Sequence, residues 1–161
     1  MMESLYPFFE WCEFTLVGQV IRQSLWLFPV IEAFHLVAFA LLGGTILLVD
    51  LRLLGLIFRQ QPVAELWRGA RHWRRGALVT MIVTGVLLFL SEAVKCYYSM
   101  PFRIKMVALF LGILFSFGVS SRIARADEAR VGPFWGRLTA ILSLVLWGTV
   151  AWGGRWIGFS G

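Results

Sequence analysis

The chain has 161 residues, of which 59% are hydrophobic and only 15% are charged. Several apolar runs reach the length of about 20 residues that crosses a bilayer, which excludes an ordinary soluble domain. The formal net charge of +6 does not indicate nucleic-acid binding, because the arginines lie beside the apolar runs. In that position they set the topology and contact anionic lipid headgroups. The length allows one compact membrane domain over residues 1–161.

The first predicted element, over residues 4–22, is an amphipathic helix that lies in the membrane interface. Apolar side chains recur at helical spacing from Leu5 to Leu16, whereas Glu10 and Glu13 occupy another face. Two carboxylates are costly at depth in a bilayer, which argues against a span. We expect this segment to be retained, because it lacks the basic region of a cleaved signal peptide.

Four membrane-spanning helices are predicted to follow, over about 25–53, 76–95, 103–121 and 134–156. The arginine-rich loop after the first span is expected to hold a short surface helix over 63–74, with its Arg side chains in water. Asp50 and Arg52, at the end of the first span, are expected to form an ion pair at the membrane surface. The sequence therefore predicts an all-α protein, an integral membrane four-helix bundle with an N-terminal interfacial helix.

The basic residues predict the orientation of the bundle. Ten of the fifteen Lys and Arg residues lie in the loops after the first and third spans or at the start of the fourth. The positive-inside rule places these regions in the cytoplasm. We therefore expect a multi-pass protein of the bacterial inner membrane with both termini in the periplasm. The bilayer is its first partner, and the sequence is also compatible with a homo-oligomer or a larger membrane complex.

Ionisable residues near the outer ends of the spans predict a polar site. Glu32 and His35 lie one helical turn apart on the same face of the first span, where a buried ionisable group marks a functional site by default. Glu92 ends the second span, Lys105 opens the third, and Arg155 lies near the same level. We expect one half-buried pocket to hold four of these side chains: Glu32, His35, Glu92 and Lys105. The alternative is that Glu92 and Lys105 only form structural ion pairs.

Haem and metal chemistry can be weighed against this pattern. A bis-histidine haem within one chain is excluded, because His72 lies across a core of about 30 Å from His35. A haem would use His35 alone, or with Met106 or Lys105 as a further ligand. A di-iron site lacks a second Glu-x-x-His pair and additional carboxylates. Soft side chains that suit copper(I) cluster on the same side as His35: Cys96, Met100 and Met106.

The two cysteines, Cys12 and Cys96, both fall on the predicted outer side. A disulfide between them is allowed in an oxidising compartment, and two buried free thiols are the alternative. The sequence contains no Walker loop, dinucleotide fingerprint, nucleophile elbow or paired-cysteine metal motif.

Several short motifs resemble known membrane families. The run His35-Leu-Val-Ala-Phe-Ala-Leu-Leu-Gly-Gly, the entry Arg74-Arg75-Gly-Ala-Leu and Lys105 resemble a broad group that includes the CopD copper-resistance membrane domain and HemJ-type protoporphyrinogen oxidase. Pro101-Phe-Arg-Ile-Lys105 and Gly154-Arg155-Trp156-Ile157 look closer to an uncharacterised family of small four-span bacterial membrane proteins. The similarity covers residues 25–157.

The HemJ-like resemblance implies a haem b cofactor and a redox role, with the essential histidine and lysine at His35 and Lys105. The last span departs from that pattern, because Gly136-Arg-Leu-Thr-Ala-Ile replaces a polar, acid-containing entry. This difference argues against porphyrinogen oxidation itself. The CopD-like resemblance implies copper handling, although this chain lacks that family's larger set of spans.

The leading hypothesis is a redox membrane protein that binds haem b or a metal ion through His35. In this hypothesis Glu32 orients the imidazole, while Lys105 and Arg155 neutralise the carboxylates of the cofactor. The sequence leaves open whether the protein is an enzyme. The alternatives are a non-catalytic accessory or assembly subunit, and passage of copper or protons along His35, Glu92 and Lys105.

Overall fold

The computed structural model of the chain describes residues 5–58, 60–125 and 128–159, without the side chains of 124, 125, 128–131, 158 and 159. The first residue of the predicted interfacial helix and part of the predicted loop after the third span lie outside this description. The described elements are all helical: α1 Tyr6–Glu13, α2 Leu16–Gln23, α3 Leu27–Leu53, α4 Val63–Gly69, α5 Arg71–Ser91, α6 Ala93–Tyr98, α7 Met100–Phe115, a π-helix Ser116–Ser120, α8 Ser121–Arg125 and α9 Glu128–Phe159.

In the described part of the chain, four helical segments are long and apolar enough to cross a membrane. They are Leu27–Leu53, Arg71–Ser91, Met100–Ile123 and Gly132–Ile157. Only 22–33% of each segment is buried inside the protein, so most of their apolar side chains face outward, as a lipid environment requires. The predicted all-α four-helix membrane bundle is confirmed.

The four spans pack as two pairs around one core. Helix α3 packs on α5 and also on α9, and α7 packs on α9. Trp147 lies at the centre, where its indole Nε1–H donates to Ser116 Oγ at 3.0 Å. We call the side where α3 ends and α5 begins the Arg-rich end, and the opposite side, where α6 joins α5 to α7, the α6 end.

The predicted single interfacial helix is a pair of short helices. The break comes where Thr15 caps α2, its hydroxyl accepting from the backbone N–H of Gly18 at 3.3 Å. Glu13 pairs with Arg22 and also accepts from the backbone N–H of Val94 at 2.7 Å. A Cβ on Gly18 would overlap the carbonyl oxygen of Leu90, so α2 packs directly on the backbone of α5. The pair is docked where α5 meets α6.

The surface helix predicted over 63–74 is also two elements, because α4 ends at Gly69 and the spanning helix α5 begins at Arg71. Arg74 therefore lies inside the bundle, with 2% of its surface exposed. Its guanidinium carbon lies 3.6 Å from the ring centroid of Trp67, which is also buried. The prediction that the arginines of this region are all in water is wrong for Arg74, because the indole face replaces water around its charge.

The fourth span begins at an abrupt change of backbone direction. Gly132 has a φ of 67°, a conformation that glycine adopts without a steric penalty. Pro133 follows at the start of the spanning segment, where a helix needs no N–H donor. Gly-Pro thus separates the charged turn of α9 from its apolar part.

Candidate functional site

His35 on α3 faces α5, and Thr84 is its hydrogen-bond partner. The imidazole Nδ1 lies 2.9 Å from Thr84 Oγ1, and that hydroxyl lies 2.6 Å from the carbonyl oxygen of Thr80. A hydroxyl has one hydrogen; when Thr84 donates it to the carbonyl of Thr80, the Thr84 oxygen accepts from His35. In the neutral imidazole, Nδ1 then carries the proton and Nε2 keeps its lone pair. This tautomer leaves Nε2 available to a metal.

Gly85 provides the space for the imidazole ring. A Cβ at this position would lie 3.2 Å from His35 Cε1, tighter than ordinary van der Waals contact. Helix α5 therefore contributes both Thr84, which orients the imidazole ring, and Gly85, which leaves space for it. The ring is half-buried within the bundle.

Lys105 on α7 lies at the same end of the bundle. Its Cβ is 3.0 Å from the position that a Cβ of Gly153 would take, and its Nζ is 3.4 Å from the corresponding position at Gly154. The two glycines let α7 and α9 approach closely, and the lysine side chain runs over them. Lys105 is near enough to interact electrostatically with His35 and with Cys96. The structure thus brings the imidazole, the amine and a thiol to the α6 end.

The thiols at this end are protonated near neutral pH. Burial, followed by the nearby Glu92 carboxylate, raises the pKa of Cys96 to about 11. Burial also raises the pKa of Cys12 on α1. The sequence allowed either a disulfide or two buried free thiols. In the structure both cysteines are free and buried.

Two predicted site residues on the first three spans, Glu32 and Met106, are exposed. Glu32 is exposed, and the role predicted for it, orienting His35, belongs to Thr84 instead. Met106 is 45% exposed, because it follows the inward-facing Lys105 by one residue and so points to the outer surface of α7. The role of Met106 as a ligand beside His35 stays a prediction.

Glu92 and Arg155 also lie at the α6 end. Glu92 sits at the junction of α5 and α6, with its Oε2 3.8 Å from the Nζ of Lys95, the structural pairing that the sequence left open. Arg155 is exposed on α9, beside an open apolar cleft that Trp152 and Trp156 also line.

Within the described residues, no group of three or more His, Cys, Asp or Glu could hold a metal ion. His72, the other histidine of the sequence, is exposed at the Arg-rich end. A haem or metal ion at the α6 end would therefore take His35 as its imidazole ligand.

A second polar cluster lies near the Arg-rich end, and the sequence did not predict it. Asp50 is fully buried, and both of its carboxyl oxygens lack a hydrogen-bond partner, as does the buried Oγ of Ser143, which faces it from α9. The predicted surface ion pair is wrong, because Asp50 points into the core while Arg52 donates its Nε–H to the carbonyl of Gln61 at 2.8 Å. The sequence did contain a signal for the burial of Asp50, because Asp50 continues the four-residue spacing of the buried Leu42 and Ile46.

These features define a class: a four-span integral membrane protein with ionisable side chains in its interior. The chain belongs to a family of unknown function, DUF6644, whose model matches residues 8–160. No match to a curated protein or to a solved structure is found. The predicted kinship with an uncharacterised family agrees with this finding, which carries no evidence for CopD or HemJ.

Proposed function

We propose that this protein binds haem b, or alternatively a metal ion, through His35 and serves a redox role in the membrane. The observation that carries the proposal is the 2.9 Å contact of His35 Nδ1 with Thr84 Oγ1, which orients the ring. With the Thr84 hydrogen on the carbonyl of Thr80, Nδ1 carries the imidazole proton and Nε2 keeps its lone pair. Histidine ligands of metals are commonly anchored in this way through their second nitrogen. A half-buried imidazole inside a span is also costly, which favours a functional reason for it.

The side chains around His35 suit a bound group that carries carboxylates. Lys105 supplies a positive charge at the same end, and Gly153 and Gly154 hold its side chain against α9. A cofactor carboxylate, such as a haem propionate, would pair with this ammonium. Arg155, exposed and directly after the two glycines in the sequence, is the second candidate for that role. Haem, when bound, would supply one-electron transfer, and the protein would position and shield it.

We propose in addition that the His35 site lies in the periplasmic leaflet of a bacterial inner membrane. This placement rests on the arginines that surround the opposite end of the bundle, since such regions stay in the cytoplasm. A redox partner would then meet the site from the periplasm or from within the membrane.

Copper is the second candidate for the bound group, because the Cys96 thiol lies at the same end as His35 and thiolates are good ligands of copper(I). The methionines add little to this candidate, since Met100 and Met106 are 64% and 45% exposed. The raised pKa of Cys96 also means that copper would have to displace its proton.

Absorption spectroscopy and metal analysis test the proposal. The protein is purified in mild detergent from cells supplied with both a haem precursor and copper. We expect a Soret band in the wild type that is lost in His35→Ala and kept in His72→Ala, the control at the sequence's other histidine. Copper without a Soret band, lost in His35→Ala, would support the second candidate. A wild-type protein that is colourless and free of metal would overturn both and favour an accessory subunit.

A further inference from the structure

The bundle buries a carboxyl group far from the His35 site. Asp50 lies near the C-terminal end of α3 and has no exposed surface. Neither of its carboxyl oxygens has a hydrogen-bond partner, and Ser143, equally buried, also has an unpartnered Oγ. Ser143 faces Asp50 across the contact between α3 and α9. Two unpartnered polar groups thus face each other in a closed interior.

Among the side chains that the structure describes, no charged group makes a hydrogen bond to Asp50. On α5, the buried guanidinium of Arg74 lies over the ring of Trp67 from α4, and it makes no hydrogen bond to the Asp50 carboxyl. Glu65 and Arg68 on α4, His72 on α5 and Arg137 on α9 are all exposed. An ionised carboxylate without a partner in such an interior costs several kcal/mol, whereas the neutral acid can donate to a serine oxygen.

The wall of this part of the core is polar on a second side. The π-helix places Ser116 and Ser120 in the interior, with 1% and 2% of their surfaces exposed. Thr139, one turn from Ser143 on α9, is also buried. π-Helical turns occur frequently at functional sites. Hydroxyl groups on the π-helix and α9 therefore continue from the level of Trp147 toward the Arg-rich end.

We propose that Asp50 and Ser143 form a proton-binding site, separate from the His35 site, in which the carboxyl group of Asp50 holds a proton that it exchanges with water. The proton resides on a carboxyl oxygen and is donated in a hydrogen bond to Ser143 Oγ. On release it passes to water and leaves the carboxylate. This inference does not depend on haem or metal binding at His35.

Isotope-edited infrared spectroscopy of the protein in nanodiscs tests the site. The sequence contains two aspartates, Asp50 and Asp127, so Asp127→Asn with ¹³C-labelled aspartate carries a single labelled carboxyl group. At neutral pH we expect the labelled C=O band of a protonated carboxylic acid. The band should shift to lower frequency after exchange into D₂O. Glu32→Gln, which alters an exposed carboxylate, should leave the band unchanged.

Two variants assign the band further. Asp50→Asn should abolish it, and Ser143→Ala should move it to higher frequency, because the acid loses its acceptor. Since the labelled Asp127→Asn chain keeps both Asp50 and Ser143, an Asp50 or Ser143 variant that fails to fold does not remove the test. A labelled carboxylate band at neutral pH in place of the acid band would overturn the proposal. So would a labelled band that responds to added Na⁺, because the site would then hold a metal cation.

Discussion

The orientation of His35 depends on an uncharged neighbour. Thr84 has a single hydroxyl hydrogen, which it commits to the carbonyl of Thr80, and this commitment leaves its oxygen to accept from the imidazole. The carboxylate of Glu32, one turn away on the same helix, has no part in the arrangement because it is exposed. The tautomer of His35 therefore follows from a threonine on another helix.

Replacing Thr84 by valine should weaken cofactor binding. The shape of the side chain is kept while the acceptor is lost, so we expect affinity to fall by about 10- to 100-fold and stability by about 1 kcal/mol. A Soret titration measures the first effect and thermal unfolding the second. Thr149→Val is the matched control, because Thr149 also donates to the carbonyl four residues earlier but lies on α9 away from the site. Equal losses in the two variants would contradict the role of Thr84.

The high pKa of Cys96 predicts that its thiol is alkylated slowly near neutral pH. At about pH 8 little thiolate is present, and alkylation by iodoacetamide should accelerate about tenfold per pH unit as pH approaches the pKa. The pKa of Cys96 in the folded protein, about 11, lies above the ordinary value of 9.0. The contribution of this difference to the free energy of unfolding is therefore fully present below pH 9.0 and is lost as the pH rises toward 11. Thermal unfolding should show that loss, and Cys96→Ala should reduce it. Fast labelling of the folded protein near pH 8 would refute the burial of this thiol.

Sequence alone found some residues of the polar interior and missed others. His35 and Lys105 were found because an ionisable group in an apolar run is conspicuous at any position. Asp50 was misjudged because its neighbour Arg52 suggested a surface pair, although the spacing from Leu42 and Ile46 placed it on the core face. Thr84 carried no signal of its own, since a threonine in a span normally bonds to its own helix.

At the scale of elements, the contact between α7 and α9 holds Lys105 in place. This contact requires Gly153, whose missing side chain makes room for the backbone and Cβ of Lys105 and for the carbonyl of Pro101. The sequence could not pair Gly153 and Gly154 with Lys105, because it does not tell which faces of α7 and α9 meet. The split of residues 63–74 into α4 and the start of α5 was equally hidden, because helical periodicity continues across the turn at Ala70.

Gly153→Ala should separate α7 from α9. The new Cβ would lie 3.0 Å from Lys105 Cβ and 3.2 Å from the carbonyl oxygen of Pro101, neither of which is the end of a flexible side chain. We expect a loss of about 1–3 kcal/mol in thermal unfolding, as in other overpacked cores. Gly148→Ala on the same helix meets nothing within 4 Å and should be neutral or slightly stabilising. If both variants unfolded alike, the close approach of the helices would be wrong.

At the scale of the whole molecule, composition sufficed for the fold class. Four apolar runs and their flanking arginines predicted the bundle, because a span must satisfy its backbone internally and must match the bilayer in length. The sequence did not predict which side chains meet in the interior, because each spanning helix is almost equally hydrophobic on all sides and its inward face cannot be identified.

The proposed orientation predicts accessibility from the two sides. In a chain with both native cysteines replaced by alanine, Tyr98→Cys probes the α6 end, where Tyr98 is 70% exposed, and Gln60→Cys probes the Arg-rich end, where Gln60 is also exposed. A membrane-impermeant maleimide should label Tyr98→Cys in intact spheroplasts and Gln60→Cys only after permeabilisation. The opposite pattern would place the His35 site in the cytoplasmic leaflet.

The central claim is that His35 Nε2 is the ligand of a bound haem or metal ion, and chemical rescue tests it most directly. Haem is titrated into the apoprotein of the wild type and of His35→Gly, and for the variant the titration is repeated with free imidazole. We predict a saturable Soret band in the wild type, its loss in His35→Gly, and its return when imidazole occupies the vacated space. If copper is the ligand, copper retention follows the same pattern. Binding in His35→Gly equal to that of the wild type would contradict the claim, because the ligand would then lie elsewhere.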